Sequence, residues 1–289
     1  MSYSVTFWGT RGSIPTPGPR TTRYGGNTPC LSLSGDDGHV VVLDAGTGLR
    51  ALGTELMRTG TGTGVRADLL LSHTHWDHIQ GLPFFKPLSM RGSRVRVWGA
   101  AQHGVALAEI LHRQMDPMFF PVPLAAFTAS LNITEIEDSG PEIDDFLVRG
   151  FGLRHPGTTL GYRLAPRGGG PEFAYLTDNE LGPGGDYPVP KDWRRQLVGF
   201  LSGVDTLVHD AMYSESIIRA RAGWGHSTPR QAVDLATEVG CRRLVLFHHD
   251  PEHDDTAIDA LLRDACDYGR TAAPGLEIVA AHDGLCLTL

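Results

Sequence analysis

Residues 73–78 read His-Thr-His-Trp-Asp-His, so four potential metal ligands, His73, His75, Asp77 and His78, fall within six residues. Nothing else in the chain limits its fold so tightly. Imidazoles and a carboxylate in one cluster suit Zn²⁺ and its first-row neighbours. Residues 68–71 (Asp-Leu-Leu-Leu) read as a short buried strand running directly into the motif. A loop leaving such a rigid support can converge on an ion. The spacing lets His73 and His75 face one metal while Asp77 and His78 turn toward a second. A double site needs further ligands from elsewhere in the chain. The candidates are polar residues at the ends of predicted strands: His155 after 147–153, Asp178 after 173–176, and His248 after 244–247. His249 adjoins His248, and strand alternation does not choose between them, because residues 244–247 are apolar throughout.

The chain has 289 residues and 13 histidines, against only six methionines. Its 36 glycines and 19 prolines imply many turns, yet 41% hydrophobic and 20% charged residues describe an ordinary globular protein with a sizeable core. No apolar run reaches the roughly eighteen residues of a membrane span. The opening MSYSVTFWGTRGS has neither a basic nor an apolar signal region, so the expected location is the cytoplasm. Cys30, Cys241, Cys266 and Cys286 form no CxxC pair, which argues against a disulfide framework or a zinc ribbon. A net charge of −8 argues against broad, charge-driven nucleic-acid binding. A small anionic substrate held locally remains compatible with it.

With no internal repeat and no clear linker, residues 1–289 read as a single domain. The spacing predicts strands at 5–8, 30–34, 40–43, 68–71, 95–98, 131–136, 147–153, 159–164, 173–176, 206–208, 244–247, 277–279 and 285–288. It predicts helices at 46–58, 105–113, 193–201, 229–238 and 256–268. Thr228 is the expected N-cap of helix 229–238, with Pro229 at its first position. Strands first and alternating helices and strands later imply two sheets with helices packed outside.

These motifs resemble those of the metallo-β-lactamase superfamily over essentially the whole chain. The resemblance implies an α/β protein, an αββα sandwich in which two mixed β-sheets are flanked by helices. It implies that His73, His75 and His155 bind one metal and that Asp77, His78 and His248 bind another. Asp178 would bridge both, with a water or hydroxide between them. Two divalent ions are implied, zinc first, with Mn²⁺ or Fe²⁺ also accepting such ligands. His248 fits better than His249, because the family's last ligand directly follows the strand, as in Leu-Phe-His. Asp44 reads either as an acceptor for a metal-bound histidine or as a surface-turn aspartate.

Fold alone does not assign a reaction, and four features narrow the branch. Position 75 is histidine, where the di-iron redox members resemble a carboxylate pattern. The bridging position is Asp178, where true β-lactamases carry cysteine or histidine. Val208-His209-Asp210-Ala-Met-Tyr213, followed by Gly225-His226-Ser227-Thr228, is similar to the HEAT and HST motifs of the phosphodiesterase branch, which includes ribonuclease Z and phosphoribosyl cyclic phosphodiesterases. FWGTRGS, YGGNT and VLDAGTGL resemble the opening of the same branch. By this resemblance His226 protonates the leaving group and Asp210 orients it, although the motif's acid is glutamate. A buried carboxylate favours imidazolium. His209 reads as structural, aimed away from Asp210.

The segment between His155 and Asp178 is a hairpin with a Gly168-Gly169-Gly170 turn. It has no room for the tRNA-gripping arm of ribonuclease Z. Arg194-Arg195 and Arg242-Arg243 read as solvated element ends. The expected function is a binuclear metal-dependent phosphodiesterase acting on a small cyclic nucleotide or cyclic phosphate. Hydroxide generated at the metals would attack, and Asp77 would orient it. Alternatives are a ribonuclease Z-like tRNA 3′-processing nuclease, a lactonase or thioesterase, or a redox di-iron protein. The expected partner is a small phosphodiester, with no large RNA and no membrane. Family habit suggests a homodimer. The loop Pro-Met-Phe-Phe-Pro-Val-Pro at 117–123 either walls a pocket for a base, packs on a second subunit, or plugs its own core.

Overall fold

Short apolar segments, each too short to bury both faces alone, combine into two sheets that bury a shared face. The computed structural model describes residues 3–34, 38–60, 64–136, 140–141, 143, 145–182 and 184–289. In chain order the first half runs Ser4–Gly9 (β1), Cys30–Ser34 (β2), His39–Leu43 (β3), Gly48–Thr59 (α1), Arg66–Leu70 (β4), Trp76–Ile79 (α2), Arg94–Gly99 (β5), Leu107–Gln114 (α3) and Ser130–Glu135 (β6). The second half runs Phe146–Gly152 (β7), Leu160–Pro166 (β8), Phe173–Leu176 (β9), Trp193–Leu201 (α4), Thr206–Asp210 (β10), Pro229–Val239 (α5), Arg243–Phe247 (β11), Asp255–Ala272 (α6), Glu277–Ala280 (β12) and Cys286–Thr288 (β13).

One sheet has the order β13-β1-β2-β3-β4-β5-β6, the other β12-β11-β10-β9-β8-β7. From β1 to β6, two antiparallel pairings are followed by three parallel ones. From β7 to β12 the same pattern repeats. The parallel pairs need crossovers, which the helices supply. Side-chain alternation then decides the layers. On β11, Val245 and Phe247 enter the core between the sheets, while Leu244 and Leu246 pack toward the helices. The architecture is the α/β sandwich of two mixed sheets expected from the sequence.

Three differences from the sequence reading concern β10, the 73–78 motif and the last helix. Strand β10 extends past Val208 to Asp210, because β11 pairs with it through His209↔Leu246 and Asp210↔Phe247. Pairing partners outweigh the low strand propensity of these polar residues. The metal motif contains a single helical turn, α2, with Pro-free sequence Trp-Asp-His-Ile. The last helix runs to Ala272, four residues beyond the expected end. Helix α5 starts as expected. The Thr228 hydroxyl accepts from Gln231 N at 3.2 Å, and the Gln231 side chain accepts from Thr228 N at 3.0 Å. Such a capping box stabilises a helix start by about 1 kcal/mol. It also fixes the chain two residues after His226.

A buried polar network ties β3, β4 and β5 together. Asp68, 1% exposed, meets His39 at 2.7 Å and accepts from Arg96 and from Trp98 Nε1, both at 2.7 Å. His39 also meets Asp145 at 2.9 Å. Burial alone would lower the His39 pKa, but Asp68 and Asp145 outweigh it and raise it. That contribution is complete below the unfolded value of about 6.5 and is lost as pH rises through the folded value. Burial alone would raise the Asp68 pKa, but His39, Arg96 and Trp98 hold it below the usual range. That contribution is complete above about 3.9 and is lost as pH falls through the folded value. The network is therefore strongest between about pH 4 and pH 6.5. Asp68→Asn is expected to lose about 2 kcal/mol in urea unfolding at pH 6. The stability gap between wild type and variant should narrow at pH 9.

Candidate metal centre

The site forms at the carboxyl ends of the strands of both sheets, where open α/β folds place their ligands. Asp44 follows β3, the 73–78 motif follows β4, His155 follows β7, Asp178 follows β9, Asp210 ends β10, and His248 follows β11. Helix α2 turns the chain after His75, so Asp77 and His78 project from a different direction than His73 and His75. Five described non-glycine residues have positive φ: Ser13 at 63°, Asp44 at 60°, His103 at 49°, Asp178 at 47° and His248 at 61°. Four of them contact this site. Such conformations cost about 1–3 kcal/mol each and persist where the surroundings enforce them.

The structure gathers all seven residues of the expected donor set. One group is His73, His75, His155 and Asp178, and another is Asp77, His78 and His248; within each, the potential donor atoms lie within 4.8 Å of one another. In the first, His75 Nδ1 lies 2.8 Å from His73 Nε2 and 3.1 Å from His155 Nε2. Asp178 Oδ2 lies 3.7 Å from His73 Nε2 and 3.6 Å from His155 Nε2. In the second, His78 Nε2 lies 3.1 Å from Asp77 Oδ2, and His248 Nε2 lies 3.2 Å from the same oxygen. Asp178 Oδ1 is 3.2 Å from both His78 Nε2 and His248 Nε2. Asp178 thus places one oxygen in each group. A tetrahedral site with metal–ligand distances of 2.0–2.1 Å spaces its donors about 3.4 Å apart. These separations scatter around that value.

The hydrogen bonds behind the donors fix which nitrogen faces the centre. His78 Nδ1 donates to Asp44 Oδ2 at 2.8 Å, and His155 Nδ1 donates to the Gly225 carbonyl at 3.1 Å. Ser72 Oγ donates to Asp44 Oδ2 at 2.9 Å, which leaves it to accept from His73 Nδ1 at 3.0 Å. Lone pairs on three Nε2 atoms therefore point inward, and His78 Nε2 is buried without a hydrogen-bond partner. Converging lone pairs repel one another unless a cation lies among them, so the residues fit a divalent metal. Burial drives the His73 pKa well below its usual value and His155 to about 4, which keeps both neutral at pH 7. Burial alone would raise Asp77 and Asp178, but the facing histidines hold both well below the carboxylate range.

Asp44 is fully buried and accepts from Ser72 N at 2.7 Å and Tyr175 Oη at 2.7 Å as well as from His78. Of its two sequence readings, the structure supports the acceptor behind a histidine. His248 enters the cluster while His249 does not; His249 Nε2 donates to the Ala281 carbonyl at 2.8 Å. The positive φ at His248 rotates its side chain off the strand register. A Cβ at Gly12 would stand 2.6 Å from the His248 ring, so only glycine lets the first loop approach. The next residue, Ser13, donates its backbone N–H to Asp77 Oδ2 at 2.8 Å.

Asp210 and His226 also meet here. His226 Nδ1 lies 2.7 Å from Asp210 Oδ2, and its ring stacks on His248 with centroids 5.1 Å apart. Burial alone would lower the His226 pKa, but Asp210 outweighs it and raises it to about 9. Asp178, His226 and His248 form a third group with potential donors within 4.8 Å. His209 points away: its Nδ1 donates to the Asp210 carbonyl at 2.7 Å.

Sequence reasoning missed Glu180. This carboxylate is 2% exposed and accepts from Tyr187 Oη at 2.6 Å, Gly223 N at 2.9 Å, Gly225 N at 3.1 Å and Gly185 N at 3.2 Å. Through Gly225 it holds the carbonyl that orients His155. The only sequence signal is its place two residues after Asp178.

A family profile described as a beta-lactamase superfamily domain matches residues 39–249. A ribonuclease Z from Halobacterium salinarum is 27% identical over 339 aligned positions, covering 99% of this chain and 97% of that protein. Among solved structures, unliganded yeast PDE1 matches with a TM-score of 0.71 at 17% identity, over 99% of both chains. A diphosphatase of the PhnP family matches with a TM-score of 0.67 at 20% identity, over 100% of this chain and 98% of that one. The profile spans most of the chain, and the solved structures repeat its fold. The chain belongs to the metallo-β-lactamase superfamily and is a metal-dependent hydrolase within it.

Proposed function

We propose that the protein is a binuclear phosphodiesterase acting on a small cyclic nucleotide or cyclic phosphate. His73, His75 and His155 would hold one divalent ion, Asp77, His78 and His248 a second, and Asp178 would bridge them. Zinc suits this nitrogen and oxygen donor set. When bound, the cations supply Lewis acidity to phosphoryl oxygens and to water. The observation that carries the reading is the buried Asp210–His226 pair beside the double donor cluster. Asp210 accepts from His226 Nδ1, which leaves Nε2 as the proton-bearing atom for a departing alkoxide. Ser227 N also donates to Asp210, at 2.9 Å, so the acid is held on two sides. Asp77, fixed by Ser13 N, orients the attacking oxygen.

The curated relative named ribonuclease Z favours a second reading, a tRNA-processing nuclease. Two observations weigh against it. The 339 aligned positions exceed this chain's length, so the relative carries inserted residues. Here His155 and Asp178 are joined only by the β8–β9 hairpin. Arg194, Arg195, Arg242 and Arg243 are each paired with a carboxylate, so neither of these two basic pairs offers RNA a free anchor. The deciding experiment is a panel on the metal-loaded enzyme: bis-p-nitrophenyl phosphate, 3′,5′- and 2′,3′-cyclic nucleotides, a ribose cyclic phosphate and a tRNA precursor. Turnover confined to the tRNA precursor would replace the first reading with the second.

His226→Ala is expected to reduce kcat by about 10²–10⁴ with metal content unchanged in elemental analysis. Metal loss that accounts for the whole defect would make His226 a ligand instead of a proton donor. Asp178→Ala removes an oxygen from each donor group and is expected to lower bound metal to less than half of wild type. His249→Gln should retain the wild-type stoichiometry.

A further inference from the structure

Beside the metal-binding loop lies a slot of about 220 Å³, lined by Thr74, Trp76, Ile79, Ile110, Gln114 and Phe119, with Arg113 at its edge. We propose that this slot is a subsite for a planar heteroaromatic ring carrying a hydrogen-bond donor, the nucleobase of the substrate. The proposal rests on the phosphodiesterase reading and narrows it from cyclic phosphates in general to nucleotides.

Position is the first argument. Thr74 and Trp76 flank His75, the one exposed residue of its donor group. The slot therefore starts one residue to either side of the donor through which the centre reaches solvent.

Shape and surface are the second. Trp76 is 66% exposed and Phe119 73% exposed, an unusual outlay of aromatic surface at one place. Ile79 and Ile110 add apolar lining. The volume is below the roughly 300–1,000 Å³ of sites for drug-sized ligands and suits a single ring system. Stacking between aromatic faces is how proteins hold bases without reading every edge.

The polar inventory is the third. Gln114 Nε2 donates to the Ile79 carbonyl at 2.8 Å. Its other amide atom, Oε1, is buried and has no partner. An orphaned acceptor calls for a donor, which an exocyclic amine or a ring N–H supplies once the half-buried Gln114 side chain turns its oxygen toward the slot. Arg113, the one charged residue of the lining, is engaged by Glu109.

The walls are held in place beforehand. Phe119 N and Phe120 N both donate to the Asp116 carbonyl at 2.8 Å, and Met118 N donates to Asp116 Oδ1 at 2.8 Å. Phe120 packs on the hydrophobic core and meets the Phe84 ring edge-on at 5.5 Å. The two adjacent phenylalanines thus divide their work. One anchors the turn and the other faces the slot.

The test pairs binding with turnover. Adenosine, which has no phosphate, is titrated into the metal-loaded protein and followed by saturation-transfer NMR, with purine riboside as the analogue lacking the exocyclic amine. Adenosine should bind more tightly than purine riboside, and Phe119→Ala should weaken adenosine about tenfold. The same variant should lower, by a similar factor, the ratio of kcat/KM for a nucleoside cyclic phosphate to that for base-free ribose cyclic phosphate. Phe119 is mostly exposed, so the variant keeps its fold. Adenosine binding that ignores Phe119→Ala, or a wild type that prefers the base-free substrate, overturns the proposal. So does a shift from dimer to monomer in sedimentation, which would make the slot an interface between copies. Saturable, Phe119-dependent adenosine binding without hydrolysis of any phosphodiester would uphold the subsite and reject the phosphodiesterase reading.

Discussion

One carboxylate joins what would otherwise be two separate donor clusters. Asp178 sits at 47° in φ, fully inside the protein, with one oxygen among His73 and His155 and the other among His78 and His248. Four imidazoles approach it through Nε2, and the hydrogen bonds behind His73, His78 and His155 turn the lone pairs of those three inward. Such an arrangement is repulsive without positive charge and strongly binding with it. The strained backbone, the glycines at close approaches and the buried acceptors behind the rings all serve to keep this one arrangement in place.

The supporting residues divide by histidine. Asp44 fixes His78 directly and His73 through Ser72, while Glu180 reaches His155 through Gly225. Asp210 holds His226, and the capping box at Thr228 fixes where that segment stops. Second-tier contacts of this kind determine both the tautomer and the direction of a ligating ring. They come from β3, β9 and β10, so the sheets serve chiefly as a frame that brings these polar residues together.

The sequence made much of this frame readable. Apolar runs that end in His or Asp marked both the strands and the donors, because a buried strand has few other ways to end. The choice between His248 and His249 was not readable from alternation, since it depends on a single left-handed residue after β11. Asp210 looked like the residue beyond a strand, and only its pairing with Phe247 brings it into one. Glu180 was invisible because its donors come from two segments, 185–187 and 223–225, that meet only in the fold. The slot was half visible: the two phenylalanines were conspicuous, but Trp76, Gln114 and the turn around Asp116 meet only in three dimensions.

The repeated pairing pattern has a consequence for assembly. The first half of the chain supplies His73, His75, Asp77 and His78, and the second supplies His155, Asp178 and His248. Neither half owns a complete set for either donor group. Folding raises the effective concentration of one half's donors toward the other's, and a bound cation returns that gain as adhesion between the halves. Metal supply would then govern the cohesion of the sandwich as well as its chemistry, with the ion acting as a clasp across the seam.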